Sequence, residues 1–384
     1  METELRTLIQ AIHDSPPQLV LVVAGAGHSA LSHLLDVAGA SRTLLEALVP
    51  YSQTSFDEFL TRPPEQYVAA QTARLLAGRA YTRAQQLNLT DKPVFGIACT
   101  AAIATDRPKR GDHRAHVARW QTDGVVHYEL VMEKEARTRT EEEALVSQLI
   151  LQVIAEGCGL PPTAPLPLRP ADRLTSETQS YQAAAQALAT GVSHYFGIMA
   201  DGLPYPAATP PPVILSGSFN PLHQGHLGMA RAAETMLNQP VAFELSAVNV
   251  DKPPLPAELI LARAGQFAGR YPVLVSDAPT YIGKARLYPG TTFVVGYDTA
   301  IRIFAPRYYD NSVERMMAGL AEIEALGCRF LVAGRLDGQG IFRSLADVEM
   351  PSRFAHLFTA IPETLFRSDI SSTSLRTTDQ RGSR

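Results

Sequence analysis

Val213-Ile214-Leu215 is a short apolar run with strand character. Gly217-Ser218-Phe219-Asn220-Pro221-Leu222-His223-Gln224-Gly225-His226 follows it, and a helix-like run, Leu227 to Leu237, comes next. Strand, tight Gly/Pro turn and helix start commit this part of the chain to an α/β arrangement with an anion site at the turn. A helix N-terminus carries unpaired N–H groups and a partial positive charge, so phosphates settle there. Gly217 lets the backbone approach a phosphate without a Cβ in the way, and Ser218 and Phe219 share the turn. His223 and His226 sit three apart, so both side chains fall on one side of the first helical turn. Two imidazoles placed there can donate hydrogen bonds to charge that grows in a transition state.

Further segments repeat the pattern. Residues 243–248 alternate as a strand, and Lys252 follows its carboxyl end, where open parallel sheets bind ligands. Arg263 sits on a helix predicted over residues 260–268. Residues 292–298 form a strand running into a turn with Gly296 and Asp298, which would meet a base or ribose. Arg335 ends the strand-like run from Phe330, in reach of a phosphate or base. Near the chain end, Ile370-Ser371-Ser372-Thr373-Ser374-Leu375-Arg376 supplies hydroxyls for a helix start and, three residues after Thr373, a guanidinium fork for phosphate.

Gly217 to His226 resembles the HxGH motif of the nucleotidylyltransferase superfamily, in its GxFxPxHxGH form. Gly296-x-Asp298 and the Ser372–Arg376 segment resemble the G-x-D and ISSTxxR motifs of the nicotinamide or nicotinate mononucleotide adenylyltransferases. The resemblance implies a Rossmann-like fold and adenylyl transfer from ATP to the mononucleotide, with Mg²⁺ on the triphosphate. His223, His226, Lys252 and Arg376 would be catalytic. Gly217, Ser218, Phe219, Gly296, Asp298, Arg335, Ser372 and Thr373 would hold the nucleotide, with no protein metal site. Family members stack the pyridine ring on an aromatic residue. The one tryptophan, Trp120, lies elsewhere, so Tyr281, Tyr308 and Tyr309 are the candidates. Another phosphate acceptor, such as a pantetheine phosphate or a phosphoalcohol, remains open, as does a non-catalytic nucleotide sensor.

The N-terminal part has its own signature. Residues 18–24 are a β-branched strand, and Gly25-Ala26-Gly27-His28-Ser29 leads into a helix from Ala30 to Val37. Gly25-x-Gly27-x-x-Ala30, with Glu46 downstream, has the spacing of a dinucleotide fingerprint. Residues 36–41, 49–52 and 96–100 instead resemble the C-terminal domain of the CinA family, which includes deamidases of nicotinamide mononucleotide. The resemblance spans 18–158, with helices around 64–80 and 141–156. It departs where the catalytic serine is due: that position is Ala24, and Ser29 and His28 are the nearby polar side chains, with no carboxylate cluster beside them. A domain without deamidase chemistry is expected, left with a structural, oligomerising or ligand-sensing role; a bifunctional enzyme is the alternative. The charged stretch from Thr105 to Arg114 reads as a solvated loop before a strand at 115–120.

The expected architecture is therefore α/β with two domains. The CinA-like domain covers 1–165 and the Rossmann-like catalytic domain 213–384. Between them, 166–212 holds two proline-rich pieces around a helix predicted over 171–200. A net charge of −4 supplies no basic field for nucleic acid. Cys99, Cys158 and Cys328 are too scattered for a disulfide framework or a zinc site. An acidic N-terminus and short apolar runs lead us to expect a cytoplasmic protein that binds neither membrane nor nucleic acid, and a homo-oligomer through the first domain.

Overall fold

The computed structural model describes residues 3–107, 110–161, 165–206, 208–248 and 254–367. The chain divides into two compact units. The first holds residues 1–183, 198–203 and 265–270, and the second holds 184–197, 204–264 and 271–384.

In the first unit the elements run α1 (Thr3–Asp14), β1 (Gln18–Ala24), α2 (His28–Leu35), β2 (Leu44–Leu48), α3 (Gln53–Leu60), α4 (Ala70–Leu87), β3 (Val94–Ala102), β4 (His113–Gln121), β5 (Gly124–Met132), α5 (Arg139–Gly157) and β6 (Arg173–Ser180). The strands form one sheet in the order β2-β1-β3-β4-β5-β6. β1 pairs in parallel with β2 and β3, and β3 through β6 continue antiparallel. All seven residues of β1 are buried, as expected of a parallel strand covered on both faces. Ile97, Val117, Leu130, Val146, Ile150 and Ile154 lie in the core that α5 shares with the sheet.

The expected helix over 171–200 does not form. Residues 173–180 are instead the edge strand β6, in register with β5 from Arg173 opposite Val131 to Ser180 opposite Gly124. Only α6 (Gln182–Ala189) is helical, and β7 (Tyr195–Ile198) is another strand. The Thr and Ser of Arg173–Ser180 favour a pleated edge, and eight ladder positions outweigh weak helix propensity. The helix expected around 64–80 begins only at Ala70, after the Pro63-Pro64 pair, and runs to Leu87. His113 does not belong to a solvated loop. It begins β4, is buried, and its Nδ1 lies 2.7 Å from Glu142.

The second unit continues with β8 (Val213–Gly217), α7 (Gln224–Leu237), β9 (Val241–Ser246), α8 (Ala257–Ala264), β10 (Val273–Ser276), α9 (Tyr281–Leu287), β11 (Thr292–Gly296), α10 (Tyr297–Ile303), α11 (Val313–Ala325), β12 (Arg329–Ala333), the hairpin β13 (Arg335–Leu336) and β14 (Phe342–Arg343), and β15 (Phe358–Ile361). Its main sheet has the order β15-β12-β11-β8-β9-β10-β7. The ladders from β15 across to β10 are all parallel. The chain lays down β8, β9 and β10 outward in one direction, then returns to lay β11, β12 and β15 on the other side of β8. That is the doubly wound order 3-2-1-4-5-6, and its reversal falls between β8 and β11. Ligands of such sheets bind beyond the carboxyl ends of the strands at that reversal.

Candidate functional site

Gly217 ends β8 and Gly296 ends β11, the two strands that flank the reversal. Ser216, Gly217 and Ser218 line a cavity of about 290 Å³ in the second unit, whose other walls include Thr280, Tyr281, Lys284, Arg302, Tyr308 and Tyr309. This is near the small end of ligand pockets, about 300 Å³. All three tyrosine candidates for the pyridine ring thus meet in one cavity, although they lie on α9 and beyond α10. Arg307 stands over the ring of Tyr308, 4.8 Å from its centroid. The hydroxyl of Tyr309 donates to the carbonyl of Ile303 at 2.9 Å.

His223 is the N-cap of α7 and His226 lies one turn in. Their rings stack 3.7 Å apart at 26°. The Nδ1 of His226 accepts from the backbone N–H of His223 at 3.3 Å, and the Nδ1 of His223 accepts from Gly225 N–H at 3.2 Å. An Nδ1 that accepts carries no proton. Both neutral rings therefore hold their hydrogen on Nε2, where each is a donor. Burial lowers the pKa of His223, and burial followed by the neighbouring His223 pushes His226 down to about 3. The pair is neutral near pH 7, with two N–H donors at a helix N-terminus. Phe219 is buried, and its ring packs edge-on against His226 at 5.0 Å. Its side chain thereby holds the histidine. Arg263 of α8 donates to the carbonyl of Ser218 at 3.3 Å.

Gly296 is the N-cap of α10, with φ −81°, and a Cβ there would meet no atom of the described residues within 4 Å. Asp298 and Arg335, far apart in sequence, form an exposed ion pair with each other. Lys252, Ser372, Thr373 and Arg376 lie outside the described residues.

The cavity floor holds a group that the sequence did not single out. Lys284 is buried, and its Nζ lies 2.7 Å from both oxygens of the fully buried Glu244 and 2.8 Å from Ser246 Oγ. Ser276 also donates to Glu244, at 2.6 Å.

In the first unit the glycine turn after β1 is already filled. Gly25 and Gly27 take φ of +89° and +97°, the left-handed region that favours glycine. The turn aims the N–H groups of Gly27 and Ser29 at the carboxylate of Glu143, from α5, at 3.2 and 3.0 Å. Ser29 Oγ and Ser147 Oγ donate to the same carboxylate at 2.7 and 2.9 Å, and His28 Nδ1 lies 3.2 Å away. The sequence predicts only backbone N–H groups, Ser29 and His28 at this turn; one carboxylate, Glu143, also lies beside it. Glu143 is distant in sequence, and nothing local marked it. Burial raises its pKa, but the hydrogen bonds from Ser29 and Ser147 and the charge of His28 outweigh that and leave it lowered. A carboxylate with a lowered pKa, its oxygens already taken by four donors, is a weak general base. The dinucleotide fingerprint also fails: its anion position holds Glu143, and Glu46 is ion-paired with Arg83 at 2.8 Å.

Among the described residues no three His, Cys, Asp or Glu side chains cluster as a metal site, and no helix is long and apolar enough to cross a membrane.

Residues 214–378 match the family model described as cytidylyltransferase-like. No curated protein matches the chain. Among solved structures it is similar to the competence/damage-inducible protein CihA from Agrobacterium tumefaciens, at 20% identity and a TM-score of 0.35, over 41% of this chain and 96% of that one. It is also similar to a competence-damaged protein (CinA) superfamily protein from Enterobacter cloacae, at 14% identity and a TM-score of 0.33, over 41% of this chain and 93% of that one.

Proposed function

For a chain whose residues 214–378 form a cytidylyltransferase-like domain, we propose adenylyl transfer from ATP to nicotinamide or nicotinate mononucleotide, giving the dinucleotide and pyrophosphate. The observation that supports this reading is that Gly217 and Gly296 end the two neighbouring strands at the reversal of the doubly wound sheet, with the His223–His226 pair at the start of the helix that follows the first of them. A phosphate oxygen of the mononucleotide attacks the α-phosphorus of ATP. The bond from that phosphorus to the bridging oxygen breaks, and pyrophosphate leaves. No covalent intermediate is needed, so the protein contributes positioning and charge stabilisation. The two imidazoles donate to the oxygens of the pentavalent centre. Lys252 and Arg376 hold phosphates in this reading, and Gly296 leaves room for the adenosine. Mg²⁺, brought with ATP, would supply charge neutralisation on the triphosphate. The test is incubation with ATP, Mg²⁺ and each mononucleotide, followed by chromatography for dinucleotide and pyrophosphate. Absence of both products with both acceptors would sink the reading.

For the first unit we propose a structural role without deamidase chemistry. Ala24 offers no nucleophile, and the N–H pair that would hold an oxyanion is occupied by Glu143. The full chain should release no ammonia from nicotinamide mononucleotide. Release that disappears in Ser29→Ala would restore the bifunctional alternative.

A further inference from the structure

We infer that Arg302 selects an acceptor whose ring carries a carboxylate, so that the acid mononucleotide is preferred to the amide. This rests on the adenylyl-transfer reading above.

The argument is one of charge. Among the described residues, Lys284 and Arg302 are the cations that line the cavity, and no Asp or Glu lines it. The charge of Lys284 is already matched, because Glu244 holds its ammonium with both oxygens. Arg302 lies in the last turn of α10. The carboxylate one turn before it, Asp298, is paired with Arg335 instead. Among the described residues the cavity is therefore left with one unmatched positive charge.

Its place in the chain says which part of a ligand it meets. On the adenylyl-transfer reading, the turn at Ser216–Ser218, which borders the cavity ahead of the histidine pair, would take the phosphate. Arg302 comes from a different segment, the one that also brings Tyr308 and Tyr309 to the lining. Aromatic side chains suit a flat ring, and a guanidinium beside them suits a planar anion on that ring, which it can grip through two parallel N–H bonds. A carboxamide offers one acceptor oxygen and no charge. The phosphate is common to both mononucleotides, so it cannot distinguish them.

Calorimetric titration of the full chain with each mononucleotide, without ATP, tests this apart from turnover. The wild-type protein should bind nicotinate mononucleotide more tightly by roughly ten- to hundredfold, the usual worth of a charge-assisted contact. Arg302→Gln should remove most of that gap by weakening the acid form alone. Equal affinities in the wild type, or an equal loss for both ligands in Arg302→Gln, would overturn the inference while leaving adenylyl transfer standing; the second result would mean that Arg302 holds the shared phosphate. If the wild type binds neither mononucleotide, the reading of the acceptor falls and the inference falls with it.

Discussion

Lys284 Nζ lies 2.7 Å from each oxygen of Glu244, and both side chains are shut off from solvent. Removing one partner of such a pair leaves an uncompensated buried charge, at a cost of about 3–5 kcal/mol. Lys284→Met should therefore lower the stability of the second unit by that amount in denaturant unfolding. Glu244→Leu combined with Lys284→Met should recover much of the loss, since a well-packed apolar pair avoids desolvation. A single variant as stable as the wild type would show that the pair is hydrated and not sealed.

The histidine pair gives a prediction about protons. In the free protein His226 should stay neutral well below pH 6, because its pKa is pushed to about 3. NMR titration of its ring resonances checks this, and an inflection near the ordinary value of about 6.5 would refute it. The sign for stability follows. The unfolded chain takes up a proton near pH 6.5 that the folded chain refuses, so this group makes the second unit progressively less stable from about pH 6.5 downward. In turnover, His226→Ala should lower kcat by roughly 10²–10³ with little change in ATP affinity. Near-normal turnover would remove His226 from the catalytic role.

Much of this was legible in the sequence because it is local. The strand ending at Gly217, the turn, and the helix bearing His223 and His226 lie within one continuous stretch, and each follows from its own residues. What the sequence hid was pairing across distance. Arg173–Ser180 has no strong preference of its own and becomes a strand because β5 offers it a ladder. Glu143 and Glu244 look like ordinary charges on a helix and a strand until the fold brings Ser29 to the first and Lys284 to the second. Buried polar groups of that kind are defined by their partners, which no local spacing shows. Lys252 and Arg376, both expected at phosphates, lie outside the described residues.

Glu143 is the acceptor for two N–H groups and two hydroxyls. Glu143→Ala leaves buried donors unsatisfied and should destabilise the first unit by roughly 2–4 kcal/mol. The pH dependence has a definite sign. The folded carboxyl has a lowered pKa, so its contribution is fully present above the unfolded value of about 4.3 and is lost as pH falls through the folded one. Thermal melts of the wild type should drop across that acid window, and Glu143→Gln should flatten the drop. An unchanged acid profile in Glu143→Gln would mean that other carboxylates carry it.

Gly296 separates a folding role from a binding role. A glycine kept for the fold has a positive φ or a crowded Cβ position; Gly296 has φ −81° and, among the described residues, open space where a Cβ would stand. Gly296→Ala should thus fold normally and gain up to about 0.4–1 kcal/mol from a less free unfolded chain. The open side of this residue lies at the carboxyl end of β11, beside β8 at the reversal of the sheet, where the proposed nucleotide would press against the backbone. A methyl group there has room in the free protein and none once a sugar or base is in place. The variant should melt at or above the wild-type temperature yet bind ATP more weakly, by roughly tenfold or more if one contact worth about 1.4 kcal/mol is lost. Larger side chains such as Val should deepen the binding defect without unfolding the protein. A variant that binds ATP as the wild type does would place the nucleotide away from β11, and one that fails to fold would show that the glycine serves the backbone after all.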